Sequence, residues 1–175
     1  MKKNIMLLIV TTLLMGLTAG IFYCWSISVT KGLANLADME YVLAFQSLNR
    51  EIQNPLFFIC FLGLVIMLPV TTWANYEKTF SARFLLLVLA TLLYFIGVMG
   101  ITIVGNIPMN IQLDKFETGA ATAAELSTVR RAFEGRWNTL NNIRTVCCVM
   151  SFLLVILACI KVDSLYSNKL SLGQA

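Results

Sequence analysis

Few side chains in this 175-residue sequence could hold or polarise a ligand, and they fall close together. Asn106 and Asn110 bracket Ile107-Pro108-Met109. Trp137, Asn141, Arg144 and Cys148 come next, at spacings that place them on one stripe of a helix. Arg144 weighs most. A guanidinium carries five N–H donors and stays protonated, and this one lies where the chain enters a long apolar run, so it needs an acceptor. Two arrangements would supply one. It could reach lipid headgroups, loop carbonyls or a loop carboxylate, or it could face a cavity and hold an anionic or carbonyl-bearing ligand. Gln46, Asn49, Asn106, Asn110 and Asn141 offer amides that either glue helices and loops together or line that same cavity. Tyr23 and Trp25 read most simply as an interfacial aromatic anchor. Amides, an arginine and aromatics at one end of an apolar bundle would also suit a flat, partly polar aromatic molecule.

Other chemistries are excluded by composition. The sequence has no histidine, which removes imidazole-ligated zinc and copper, the non-haem iron triad and every Ser-His-Asp or Cys-His arrangement. Cys24, Cys60, Cys147, Cys148 and Cys159 form no CxxC pair and read mainly as small packing residues, with a disulfide from Cys24 to Cys147 or Cys148 as the alternative. No metal, cofactor or nucleic acid is expected. Asp38, Glu51 and Asp114 are the carboxylates nearest the outer ends of the spans, and they read as solvated loop charges rather than as a general base.

The elements that must position these groups are set by hydropathy. Hydrophobic residues make up 58% and charged residues 13% of the chain, and the mean hydropathy is +0.79. Four runs, about 5–23, 55–74, 82–104 and 143–160, approach the roughly 20 residues a helix needs to cross a bilayer. Arg83 and Arg144 are the charges of the last two, each at its very start. The fold class expected is an all-α integral membrane four-helix bundle, one transmembrane domain over 1–175, with helical outer loops at about 38–53 and 122–137.

Local signals refine this. Asn54-Pro55 caps the second span, Pro69 should kink it, and Trp73 and Tyr76 suit its interfacial end. Pro108 should end the third helix, with the flanking asparagine amides satisfying freed carbonyls. Tyr41, Phe45, Leu48 and Ile52 form an apolar stripe beside an amide stripe of Gln46, Asn49 and Gln53. Thr122 and Glu125 make a capping box for a helix that continues into the fourth span. Thr12, Gly16, Gly20, Cys24 and Ser28 form a thin ridge, with Gly97 and Gly100 as a second, for packing within the bundle or between two copies.

Orientation rests on density of basic residues. Lys2, Lys3, Lys78, Arg83, Lys161 and Lys169 lie in short flanks. Lys31, Arg50, Lys115, Arg130, Arg131, Arg136 and Arg144 are diluted over long loops and accompanied by carboxylates. The expectation is a plasma (inner) membrane protein with both termini cytoplasmic, its first apolar run kept as a span.

Ala19-Gly20-Ile21-Phe22-Tyr23-Cys24-Trp25-Ser26 with Gly32-Leu33, Gln46-Ser47-Leu48-Asn49 with Asn54-Pro55, Asn106-x-Pro-x-Asn110, and Trp137-x3-Asn141-x2-Arg144-Thr145 together resemble the anthrone oxygenase-like family of small four-span membrane proteins. The last two elements are the most specific. Lys31 stands where that family usually has proline. Leu140 stands where a second tryptophan is common, a change that would reshape an aromatic-lined site. The resemblance implies metal-free and flavin-free oxidation of an anthrone to an anthraquinone, with Arg144, Asn110 and Asn141 as donors to a developing oxyanion and Trp137 and Tyr23 as aromatic walls. The leading reading is thus a cofactor-independent oxygenase-like protein for a small aromatic or quinone-type molecule. The alternative is a non-catalytic membrane protein that binds lipid or a partner. Transport is disfavoured because no ionisable residue lies mid-span.

Overall fold

A computed structural model describes residues 2–76 and 81–172, with side chains from Asn4 to Tyr76 and from Ser81 to Ile160. Lys78 and the side chains of Lys2, Lys3, Lys161 and Lys169, on which the expected orientation leans, lie outside the described residues. The described chain is all helical, in five rods. Helix α1 runs Lys2–Cys24, widens into a π-helical turn at Trp25–Val29 and resumes at Thr30–Ala34. Helix α2 is Asp38–Glu51 and α3 is Pro55–Ala74. Helix α4 covers Ala82–Asp114, with π-helical stretches at Leu93–Gly100 and Thr102–Asn106. Helix α5 is Ala123–Leu172, unbroken at Gly135. Four of the five, all but α2, are long and apolar enough to cross a membrane.

Each rod starts for a local reason. The Asn54 side-chain oxygen accepts from the Phe57 N–H at 3.0 Å, and Pro55 occupies the first turn of α3, where its missing donor costs nothing. Thr122 and Glu125 close their reciprocal cap at the head of α5. Pro108, however, does not end the third helix. It falls in the first turn of the α-helical segment Ile107–Asp114, just beyond the π-helical Thr102–Asn106, and a first-turn position tolerates proline. The rod therefore continues for two more turns and carries Asn110 under the cap.

The spans form a ring in which α1 and α4 each pack on α3 and α5. Every neighbouring pair carries an interhelical hydrogen bond. Thr11 meets Thr71 at 2.7 Å (α1 to α3), and Tyr94 Oη donates to the Phe61 carbonyl at 2.6 Å (α4 to α3). Ser151 donates to the Ala90 carbonyl at 2.7 Å (α5 to α4), and Thr145 to the Phe22 carbonyl at 3.1 Å (α5 to α1). Lipid supplies little hydrophobic drive between helices, so such bonds and close packing hold the ring. The interior between them is apolar, centred on Met15, Leu64, Leu68, Leu87, Tyr94 and Val155.

A second apolar core lies above it, made of Leu33, Tyr41, Val42, Phe45, Leu113, Leu126, Phe133 and Trp137. Helix α2 roofs this core and is seated by two devices. Gln46 Nε2 donates to the Leu113 and Phe116 carbonyls, both at 2.8 Å. Arg130 donates to the Ala34 and Leu36 carbonyls at the end of α1, pairs with Asp38 and Glu134, and lies 4.5 Å over the Tyr41 ring. The buried face of α2 is Tyr41, Val42, Phe45, Gln46 and Asn49, while Leu48 is exposed. Gln46 and Asn49 of the amide stripe face inward at the expense of Leu48, while Gln53 is exposed, and the carbonyls that Gln46 satisfies lie below.

Each glycine ridge packs within the bundle at one of its glycines, and in the first a Cβ on Gly16 would come within 3.2 Å of the Phe152 ring. A Cβ on Gly97 would stand 2.5 Å from Cys147 Sγ and 2.7 Å from its Cβ, whereas one on Gly20 would meet nothing within 4 Å. The described cysteines are all free, and Cys148 is buried while Cys24 is exposed, so the alternative of a Cys24 disulfide is not realised. Gly97→Ala should cost about 1–3 kcal/mol through overpacking, read as a lower melting temperature in detergent. Gly20→Ala should leave it unchanged or slightly raised. A loss of stability in Gly20→Ala would instead mark that ridge as a contact with a second copy.

A candidate ligand cavity beneath the cap

Between the two cores lies a polar layer. Going outward along α4, Val98 belongs to the membrane core, Thr102 and Asn106 to the layer, and Met109 to the cap. Along α5, Cys148 belongs to the membrane core, Thr145, Arg144 and Asn141 to the layer, and Trp137 to the cap. Arg144 Nη2 donates to Asn141 Oδ1 at 2.7 Å and Nη1 to Thr102 Oγ1 at 3.3 Å. Asn141 Nδ2 donates to Ser26 Oγ at 2.9 Å, and Thr145 Oγ1 donates to the Phe22 and Asn141 carbonyls, which leaves Ser26 to donate to Thr145 at 2.9 Å. The layer is thus a directed chain of hydrogen bonds that starts from the guanidinium as donor and ends on backbone carbonyls.

Arg144 is buried, with only 8% of the residue exposed. Among the described residues no carboxylate pairs with it, and its Nε is buried without a partner. Compensation comes from ring faces. The guanidinium carbon lies 4.1 Å from the Phe22 ring centroid and 5.9 Å from that of Trp137. An Arg with spare donors, a surplus positive charge and no counter-ion presents a binding surface for an oxyanion or a carbonyl oxygen.

It presents that surface to a cavity of about 330 Å³, near the lower end of the roughly 300–1,000 Å³ that small-molecule sites occupy. The walls are largely aromatic: Phe22 and Trp25 from α1, Phe45 from α2, Phe57 and Phe61 from α3, and Trp137 from α5. Trp137 packs edge-on to Phe45 at 4.8 Å and lies 5.3 Å from Trp25. Its indole N–H donates to Asn110 Oδ1 at 2.7 Å, so the Asn110 amide N–H₂ remains available to the cavity it lines. Asn49 also lines it and makes no side-chain hydrogen bond to a described residue. Two of the π-helical turns lie at this level, and their residues Trp25 and Thr102 are both wall residues. A π turn widens the helix and shifts the facing of the residues beyond it, which is a recurrent device at functional sites.

The other residues picked out by the sequence sort differently. Gln46 is spent on loop carbonyls. Asn141 is no donor to the cavity, because it is fully buried and not a wall residue, its amide bonding Ser26 and its oxygen orienting Arg144. Asn106 does not cap a freed carbonyl. It is 1% exposed with both amide atoms unpartnered, and it is not a wall residue. Tyr23 is 53% exposed and borders a shallow groove on the outer side of α1 and α5, so of the Tyr23 and Trp25 pair only Trp25 faces inward. Leu140 is not itself a wall residue and packs against Gly105, where an added Cβ would come within 2.8 Å of it.

Sequence reasoning missed Phe22, Phe57, Phe61 and Thr102. Phe57 and Phe61 sit one helical turn apart and stack at 5.2 Å, a spacing visible in the sequence yet submerged in an apolar run. Among the described residues no carboxylate lines the cavity. Asp38 pairs with Arg130, Asp114 with Arg50 at 2.8 Å, and Glu51 is exposed. Burial pushes the nearby Tyr41 phenol above its ordinary range, so it stays protonated and is no base.

Two substitutions separate the guanidinium's cost from its use. Replacing a buried unpaired charge by an apolar side chain of similar length is neutral or stabilising, so ligand-free Arg144→Met should melt at or above the wild-type temperature. Asn141→Leu strips the guanidinium of its best acceptor and should cost about 1.5–3 kcal/mol. Adding Arg144→Met to Asn141→Leu should recover most of that loss.

A family model described as anthrone oxygenase matches residues 41–154, from the cap helix through most of α5. No curated protein and no solved structure matches the chain. The matched span holds Asn49, Asn110, Trp137, Asn141 and Arg144, and it covers well over half of the 175 residues. The chain belongs to the anthrone oxygenase family.

Proposed function

We propose that the protein is a cofactor-independent oxygenase that binds a small, flat aromatic ketone beneath its cap and stabilises the oxyanion formed when that ketone ionises. The observation that carries this reading is the uncompensated Arg144 guanidinium at one end of an aromatic-walled cavity. An anthrone-like carbon acid is neutral when it enters such a cavity. It becomes a phenolate-type anion on losing a methylene proton, and the charge then develops on oxygen, where Arg144 and the Asn110 amide can donate to it. Fixed donors in a low-dielectric site favour the ionised form strongly.

The anion transfers an electron to dioxygen, and recombination forms a carbon–oxygen bond as a hydroperoxide. Loss of the remaining methylene hydrogen and cleavage of the O–O bond release water and leave a second ketone. In sum, a CH₂ group and O₂ give C=O and H₂O. The protein contributes donors, walls and exclusion of side reactions. The methylene proton leaves to water at the polar upper edge of the cavity, beside Gln53, because the walls offer no histidine or carboxylate. In the same reading the cap faces the non-cytoplasmic side of a plasma membrane with both termini cytoplasmic, as the density of basic residues favours.

The lack of a side-chain base is also what a purely binding protein would show, so the second reading is a membrane protein that holds the same aromatic ligand without turning it over. Oxygen consumption by purified protein with an anthrone separates the two. The expected result is uptake of one O₂ per anthrone at a rate well above the spontaneous reaction in matched detergent, lost in Arg144→Met. Wild-type uptake no faster than spontaneous would overturn the enzyme reading.

A further inference from the structure

The mouth of the cavity can be located from which of its walls are exposed. Phe22, Phe45, Trp137 and Arg144 are buried, while Phe58 is 39%, Ile107 42% and Ile111 50% exposed. The opening therefore lies between the first turn of α3 and the outer end of α4. These two helices pack together at their inner ends, along Ala82–Leu92, and are tied by the bond from Tyr94 to the Phe61 carbonyl. Beyond it they have little or no backbone contact, since residues 102–114 pack instead on α5 and α2. The crevice they leave is the cavity.

Phe57 and Phe58 open an apolar run that crosses the membrane, and Ile107 and Ile111 are on the exposed side of α4. The rim is thus apolar at the level where the chain meets hydrocarbon. Only its upper edge, with Gln53 at the end of α2, is polar. A mouth of this kind faces lipid sideways. Polar cargo crossing it would lose its hydration before reaching Arg144, whereas a molecule already dissolved in the bilayer would lose nothing.

We infer that the ligand reaches Arg144 laterally from the membrane and is an amphiphile, with an aromatic ketone or phenol head in the cavity and an apolar substituent left in the mouth among Phe58, Ile107 and Ile111. The volume of about 330 Å³ holds the ring system with room for a short substituent, so only a long one extends through the mouth into lipid. This rests on the proposed reading of the cavity as an aromatic-ketone site and adds to it the route and the class of substituent.

The test uses the full-length protein in phosphatidylcholine vesicles, with Trp73→Phe removing the exposed third tryptophan so that quenching reports Trp25 and Trp137. Three probes are compared anaerobically: anthrone, an anthrone bearing a decyl chain, and one whose chain ends in a carboxylate. The expected result is that affinity for the first two tracks their mole fraction in the lipid rather than their aqueous concentration. The decyl compound should bind at least as tightly as anthrone on that scale, and the carboxylate compound at least about tenfold more weakly. Ile111→Phe should slow association of the decyl compound about tenfold, with Ile107→Phe as the second variant should the first lower the melting temperature. Equal binding of all three probes, or binding governed by aqueous concentration, overturns the lateral route while leaving the aromatic site standing. No quenching by any probe overturns both.

Discussion

A guanidinium buried between two apolar cores, with ring faces and two hydrogen-bond acceptors but no counter-charge among the described residues, is the constraint around which the rest of this protein is arranged. Such a group costs several kcal/mol to bury, and a bilayer protein has no general reason to keep one there. The surrounding residues limit the cost without cancelling it. Asn141 and Thr102 each accept one bond, and the Phe22 face lies 4.1 Å away. The remainder, an unpartnered Nε and a net positive charge, is held for something else.

Holding it there shapes the scaffold at each level. The chain of bonds from Arg144 through Asn141 to Ser26 and Thr145 fixes α5 against α1. The outer part of α4 leans on α5 and the cap, where Trp137 bonds to Asn110, so α3 is left standing apart and a crevice opens. The π-helical turns at Trp25–Val29 and Thr102–Asn106 fall at that height and set which residues face it. Helix α2 then closes the top, held by Gln46 and Arg130 through carbonyls at the ends of α4 and α1.

Much of this arrangement is legible in the residues. Apolar runs bounded by Arg83 and Arg144, the Asn54-Pro55 start and the Thr122/Glu125 cap specify the spans and their order because burial and capping act locally. The stripe Trp137, Asn141, Arg144 is readable for the same reason. The facing of each group across helices is not. Pro108 reads as a terminator because a π-helical turn ahead of it leaves no composition signal. Asn110 and Asn141 read as equivalent, yet one keeps its donors for the cavity while the other spends them on Ser26. Tyr23 and Trp25 are two residues apart and face opposite ways. In an apolar run every phenylalanine reads as lipid-facing, so Phe22, Phe57 and Phe61 are hidden among residues of the same kind.

Arg144 is useful, in this mechanism, through charge that develops in the ligand, and the central quantity is therefore the ionisation of a bound carbon acid. Anthrone and its anion differ in absorbance, so the ionisation midpoint of the bound molecule can be titrated anaerobically, without turnover, in wild-type protein, in Arg144→Met and in protein-free detergent micelles. One pH unit corresponds to about 1.4 kcal/mol of preference for the anion. The predicted wild-type midpoint lies at least about one unit below that in Arg144→Met and below that in micelles. A midpoint equal to or above that of the methionine variant would contradict the mechanism, and would leave the guanidinium as a structural group of the polar layer.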